Sequence, residues 1–156
     1  MERGGTAADP MPDSSRDRAT VARQLGREPR AFRVAARCPF GEPSVVENEK
    51  SRDMPTRFWI TCNSLDAAIA RVEATGGVRQ AQEDVGESAI EEIHEAHRSR
   101  HGGRVAGVRE GGYVKCLHAF TALQLAGDIE NPIAGWTLER LDRPFPENAC
   151  CSHKDE

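Results

Sequence analysis

Gly111-Gly112-Tyr113-Val114-Lys115-Cys116-Leu117-His118 opens the most hydrophobic segment of the chain, which runs on to Gly127. Val114, Leu117, His118, Thr121 and Leu125 recur at helical spacing with Ala122 beside them, so one stripe of this segment is expected to face a core. Phe120 and Leu123 widen the apolar arc, which marks a central helix. Gly111-Gly112 breaks whatever precedes it, and Gly127 ends the run. Asn131-Pro132 then restarts a helix with a good N-cap residue and a proline at the first helical position. That last helix, to about Leu141, can lay Ile133, Trp136 or Thr137, and Leu141 on the core.

Working back from the glycine pair, Ser88 to His101 reads as an exposed helix anchored by Ile90 and Ile93 and closed by Gly102-Gly103. Residues 78–85 continue a helical pattern. Leu65, Ala68, Ile69 and Val72 form a clean apolar stripe, capped at its start by Asn63 or Ser64 and closed by Gly76-Gly77. Thr56 to Cys62 has the best strand composition in the chain. Val45 to Glu47 is a short strand, and Phe32, Val34 and Ala36 alternate with polar or small residues as a strand with one wet face. A short helix from Ser15 or Asp17, with Val21, Ala22 and Leu25 buried, must dock on the core to be stable. The expected fold is α+β: about three antiparallel strands with four to five helices packed on one side of the sheet. Residues 1–17 and 143–156 read as mobile tails around a single domain at 18–142.

A chain of 156 residues suits one domain with a real core. Its formal charge of -4 and pI near 5.8 argue against nucleic-acid binding over a broad surface, which needs a basic field. No apolar run approaches the roughly 20 residues that span a bilayer. Residues 1–17 lack the hydrophobic stretch of a signal peptide, so a cytoplasmic location without membrane insertion is expected.

The five cysteines, Cys38, Cys62, Cys116, Cys150 and Cys151, follow no disulfide-scaffold spacing and include no CxxC pair. In a reducing compartment they are thiols or ligands. Cys38, Cys62 and Cys116 each stand at a junction between elements, where separate segments can converge on one metal with His118 as a fourth ligand. Cys116 and His118 would project about 200° apart on a helix; they can act together only if Cys116 precedes the first turn. Closed zinc sites normally show close ligand pairs, so on spacing alone buried cysteines acting as small hydrophobes are the simpler account. At the first turn of a helix and beside Lys115, Cys116 is also a candidate nucleophile, although no motif supplies it with a His/Asp partner.

His94, His97 and His101 share one helical face but miss the HExxH spacing by a residue, so a solvated or partly packed histidine face is expected. Cys150-Cys151-Ser152-His153 could bind soft metals but falls in the tail. Arg98, Arg100, Arg104 and Arg109 lack interleaved aromatics and read as a solvated basic loop.

Val21 to Arg27, Arg37-Cys38-Pro39 with Gly41 and Pro43, Pro55-Thr56 leading to Thr61-Cys62, the Ala68-Ile69 to Glu73 helix, Val114 to Ala119 and Asn131-Pro132 together resemble the bacterial domain of unknown function 501. The likeness runs from about Ala19 to Leu141. Members typically carry a Cys-Pro-Cys-Gly turn, and here Phe40 replaces the second cysteine. The resemblance implies a shared thiol or metal site at Cys38, Cys62, Cys116 and His118, with no activity to carry over. Such proteins are often encoded near a septum-formation initiator and an exopolyphosphatase-like phosphatase. The leading expectation is thus a metal- or cluster-binding accessory protein holding zinc or an iron-sulfur cluster. The alternatives are a metal-free module that binds an unknown protein partner in cell division or envelope processes, and a thiol enzyme using Cys116.

Overall fold

The computed structural model describes residues 15–49, 56–108 and 111–147. Cys150, Cys151, His153 and Arg109 lie outside them. Three strands, β1 (Arg33–Arg37), β2 (Pro43–Glu47) and β3 (Phe58–Ile60), form one antiparallel sheet in that spatial order. Val34 pairs with Val46, and Val45 with Ile60. The Cys38-Pro39-Phe40-Gly41 turn joins β1 to β2, closed by Gly41 N–H donating to the Cys38 carbonyl at 2.9 Å. Gly41 adopts φ 84°, a conformation that favours glycine.

Successive side chains of a strand face opposite ways, and both Val45 and Val46 are buried. Val45 joins Phe58, Ile60 and the main core, whereas Val46 packs with Val21, Phe32 and Val34 in a smaller cluster on the other face. The sheet is therefore covered on both sides, not one. Its second face is closed by α1 (Ser15–Leu25). Arg37 clamps that helix through two hydrogen bonds to the Asp17 carboxylate, at 3.0 and 2.7 Å. Gln24 donates to the Pro43 carbonyl at 2.8 Å. Asp17, assigned above to a tail, is thus tied into the fold.

The main core is built from α2 (Asn63–Ala74), α3 (Gly77–Val85), α4 (Glu87–His101), a 3-10 turn (Val105–Gly107), α5 (Leu117–Leu125) and α6 (Pro132–Leu138). With α1 this makes six α-helices among the described residues, one or two more than expected. Cys62, not Asn63 or Ser64, occupies the N-cap position of α2. Ser64 instead donates to the Pro144 carbonyl at 2.7 Å, and Phe145 packs on the core. Residues 143–147 therefore lie against the domain. None of these helices is long and apolar enough to cross a membrane.

The central helix begins at Leu117, three residues later than the apolar stripe suggests. Val114 N–H donates to the Gln82 side chain and Leu117 N–H to the Glu73 carboxylate, both at 2.7 Å. These partners, supplied from α3 and α2, tie the backbone on both sides of Lys115 to other elements, and the helix starts only after Cys116, whose own backbone is extended. Gly112 packs so closely on the first turn of α4 that a Cβ there would run into the Glu87 carbonyl and Cγ.

At α6 the sequence signal holds. Asn131 Oδ1 accepts from Ala134 N–H at 2.8 Å, and its Nδ2 donates to the Phe120 and Ile129 carbonyls at 3.0 Å each. Because one buried side chain both caps α6 and joins it to α5, Asn131→Ala is expected to cost about 2 kcal/mol. Urea denaturation measures this, and a cost of a few tenths would mean that water replaces the cap.

Helix α4 is less exposed than its composition suggests. His94 is wholly buried, and His97 nearly so. Val105 N–H donates to His94 Nδ1 at 3.2 Å, which leaves Nε2–H to donate to the Tyr113 carbonyl at 2.7 Å. His97 Nδ1 meets the Gly103 carbonyl at 2.9 Å, and His101 Nε2 the Asp128 carboxylate at 2.8 Å. The stripe is thus the packed one of the two faces expected: His94 and His97 tether the segment that follows α4, and His101 holds Asp128 beyond α5.

Candidate functional site

Helix α2 carries Asp66 and Glu73 seven residues apart, two turns along one face. The start of α5 docks against that face. Cys116, extended at φ -155° and ψ 154°, is the N-cap residue of α5, and His118 follows in its first turn. The condition for the two to act together is therefore met. The Cys116 sulfur, one imidazole nitrogen and one Glu73 carboxylate oxygen all lie within 4.8 Å of one another, the single such ligand group among the described residues.

His118 is held from both sides. Its Nδ1 lies 3.1 Å from Glu73 Oε2 and its Nε2 2.9 Å from Asp66 Oδ1. Burial alone would favour the neutral ring, but hydrogen bonds to Asp66, Cys116 and Glu73 outweigh it, and the imidazolium pKa is pushed up to about 12. For Glu73, burial works to raise the carboxyl, yet His118 and the N–H groups of Leu117 and His118 hold it below the usual range. Without a metal, the ring is thus a cation between two carboxylates.

Cys116, His118 and Asp66 also line a cavity of about 230 Å³, whose other walls are Thr56, Phe58, Trp59, Ile60 and Ala119. Its walls are mostly apolar and its reactive groups gather on the side formed by α2 and α5.

Cys38 and Cys62 lie outside the ligand group. Cys38 is buried in the turn, where its sulfur accepts from Phe40 N–H at 3.3 Å. Cys62 is fully buried at the start of α2. Both pack in the main core. Of the four residues read from the sequence, then, Cys116 and His118 come together, joined by Glu73 and with Asp66 behind the ring. The same-face spacing of Asp66 and Glu73 was a signal available in the sequence, but two acids on a helix ordinarily face water.

These features define a small α+β protein with a thiol–imidazole–carboxylate cluster at a helix N-terminus, opening on an apolar cavity. A family model for a protein of unknown function, DUF501, matches residues 34–106 and 85–139. The chain belongs to the DUF501 family. No curated protein and no solved structure matches it.

Proposed function

We propose that this chain is a zinc-binding protein whose ligands are Glu73, Cys116 and His118. The observation that carries the reading is the meeting of three ligand types at one point from two separate helices. Two oxygen or nitrogen ligands on a tetrahedral zinc lie about 3.3 Å apart, close to the 3.1 Å between His118 Nδ1 and Glu73 Oε2. If Nδ1 takes the metal, Nε2–H is left donating to Asp66, the carboxylate support common behind ligating histidines. An iron-sulfur cluster, which favours thiolate-rich ligation, suits one sulfur poorly.

Metal analysis of the full chain, purified without chelator, is expected to give one zinc per chain. Glu73→Gln and His118→Ala should abolish stoichiometric binding, and Asp66→Asn should weaken it about 10- to 100-fold. A folded wild-type chain that takes up no zinc would discard the assignment.

One observation favours a second reading, a thiol-dependent enzyme: the Cys116 sulfur contacts the imidazole at a helix N-terminus, a nucleophile beside a proton carrier. Alkylation separates the two. Zinc should shield Cys116 from a thiol reagent, whereas rapid labelling unaffected by zinc would favour the enzyme.

A further inference from the structure

The cluster is not closed. Cys116 and His118 form part of the wall of the 230 Å³ cavity, while Glu73 does not line it. Three protein ligands with a space on one side is the arrangement of a metal site that keeps a position for an exchangeable group, since structural zinc is almost always enclosed by four. Around that position the walls are Phe58, Trp59, Ile60 and Ala119. They give an apolar body a mostly apolar wall.

Charge then selects the head group. The two positive charges of zinc are balanced by the Cys116 thiolate and the Glu73 carboxylate. Asp66, beside His118 and also lining the cavity, leaves the site negative. An anionic head would enter against that field, whereas a neutral oxygen donor would not. We propose that the zinc held by Glu73, Cys116 and His118 keeps one position open to this cavity and binds there a small neutral oxygen-donor molecule with an apolar body. An alcohol or amide of about the size of one aromatic ring meets this description. This inference rests on the zinc reading above.

Cobalt(II) substituted for zinc in the full chain reports directly on the open position through its visible absorption. Benzyl alcohol, benzamide and benzoate serve as probes, in a Trp136→Phe background so that emission comes from Trp59 alone. Both neutral probes should change the cobalt spectrum and the Trp59 emission saturably, at concentrations about tenfold or more below any effect of benzoate. Ala119→Leu, which narrows the cavity, should still bind one cobalt and lose at least about tenfold in probe affinity. If that variant does not fold, the saturable cobalt response of the parent still reports the probe at the open position.

Cobalt bound at one per chain with no response to either neutral probe would overturn the cavity assignment alone. So would equal or tighter binding of benzoate, or probe affinity unchanged by removing the metal. Absence of the cobalt spectrum before any probe is added would instead overturn the zinc reading, and this inference with it.

Discussion

His94→Ala is expected to destabilise the protein by about 3–5 kcal/mol, among the larger effects for a single site outside the cluster. The ring is wholly buried, and its edge-to-face contact with Phe120, at 5.6 Å between centroids, belongs to the main core. Truncation leaves a cavity there. It also strands Val105 N–H and the Tyr113 carbonyl, each of which now has the imidazole as partner. Both costs fall on the segment that delivers Cys116 and His118, so zinc affinity should fall with stability. Urea denaturation gives the number. A cost within about 0.5 kcal/mol, the usual result for a surface residue, would mean that the ring faces water.

The second large effect is on pH. Free His118 titrates near 6.5 and the folded ring at about 12. Because the folded value is the higher, the stability that the imidazolium contributes is fully present below pH 6.5 and is lost as pH rises towards 12. Over that window the zinc-free protein should lose up to about 1.4 kcal/mol per pH unit. His94 acts in the opposite sense. Burial holds its pKa below 6.5, so its contribution is present above that value and fades as pH falls through the lowered one. Stability in the presence of chelator should therefore peak near pH 6.5. His118→Gln should flatten the alkaline limb and leave in place the fall just below pH 6.5 that His94 produces. An alkaline limb equally steep in that variant would show that other groups produce it. Zinc must displace the His118 proton, so its apparent affinity should rise with pH over the same range.

How far the sequence carries these conclusions depends on whether a signal is local. The Asn131-Pro132 start of α6, the apolar stripe of α2 and the antiparallel strands were legible because caps, helical periodicity and β-propensity act within a few residues. The start of α5 was not. Val114 and Leu117 have the right spacing for a helix, but Gln82 and Glu73, respectively 32 and 44 residues away, take their N–H groups. The second face of the sheet was missed although Val45-Val46 are consecutive and apolar, since only the docking of α1 gives Val46 a partner layer. In the site, Cys116 and His118 were visible as a pair conditional on backbone shape, and the structure supplies that shape. The shared face of Glu73 and Asp66 was visible but did not single them out, because on their own helix they look like solvated acids. A partly packed histidine face was among the expectations, but not which ring is wholly buried, since His94 is satisfied only by Val105 and Tyr113, outside its own helix.

Gly112 carries no functional atom, yet the backbone of this residue rests directly on the first turn of α4. A side chain at this position would lever Tyr113 to Cys116 outward, and the sulfur would leave its partners on α2. In a mutational scan scored by metal content, position 112 would thus be indistinguishable from a ligand. The reagent that separates the two roles is the smallest one: glycine is required there for what it lacks.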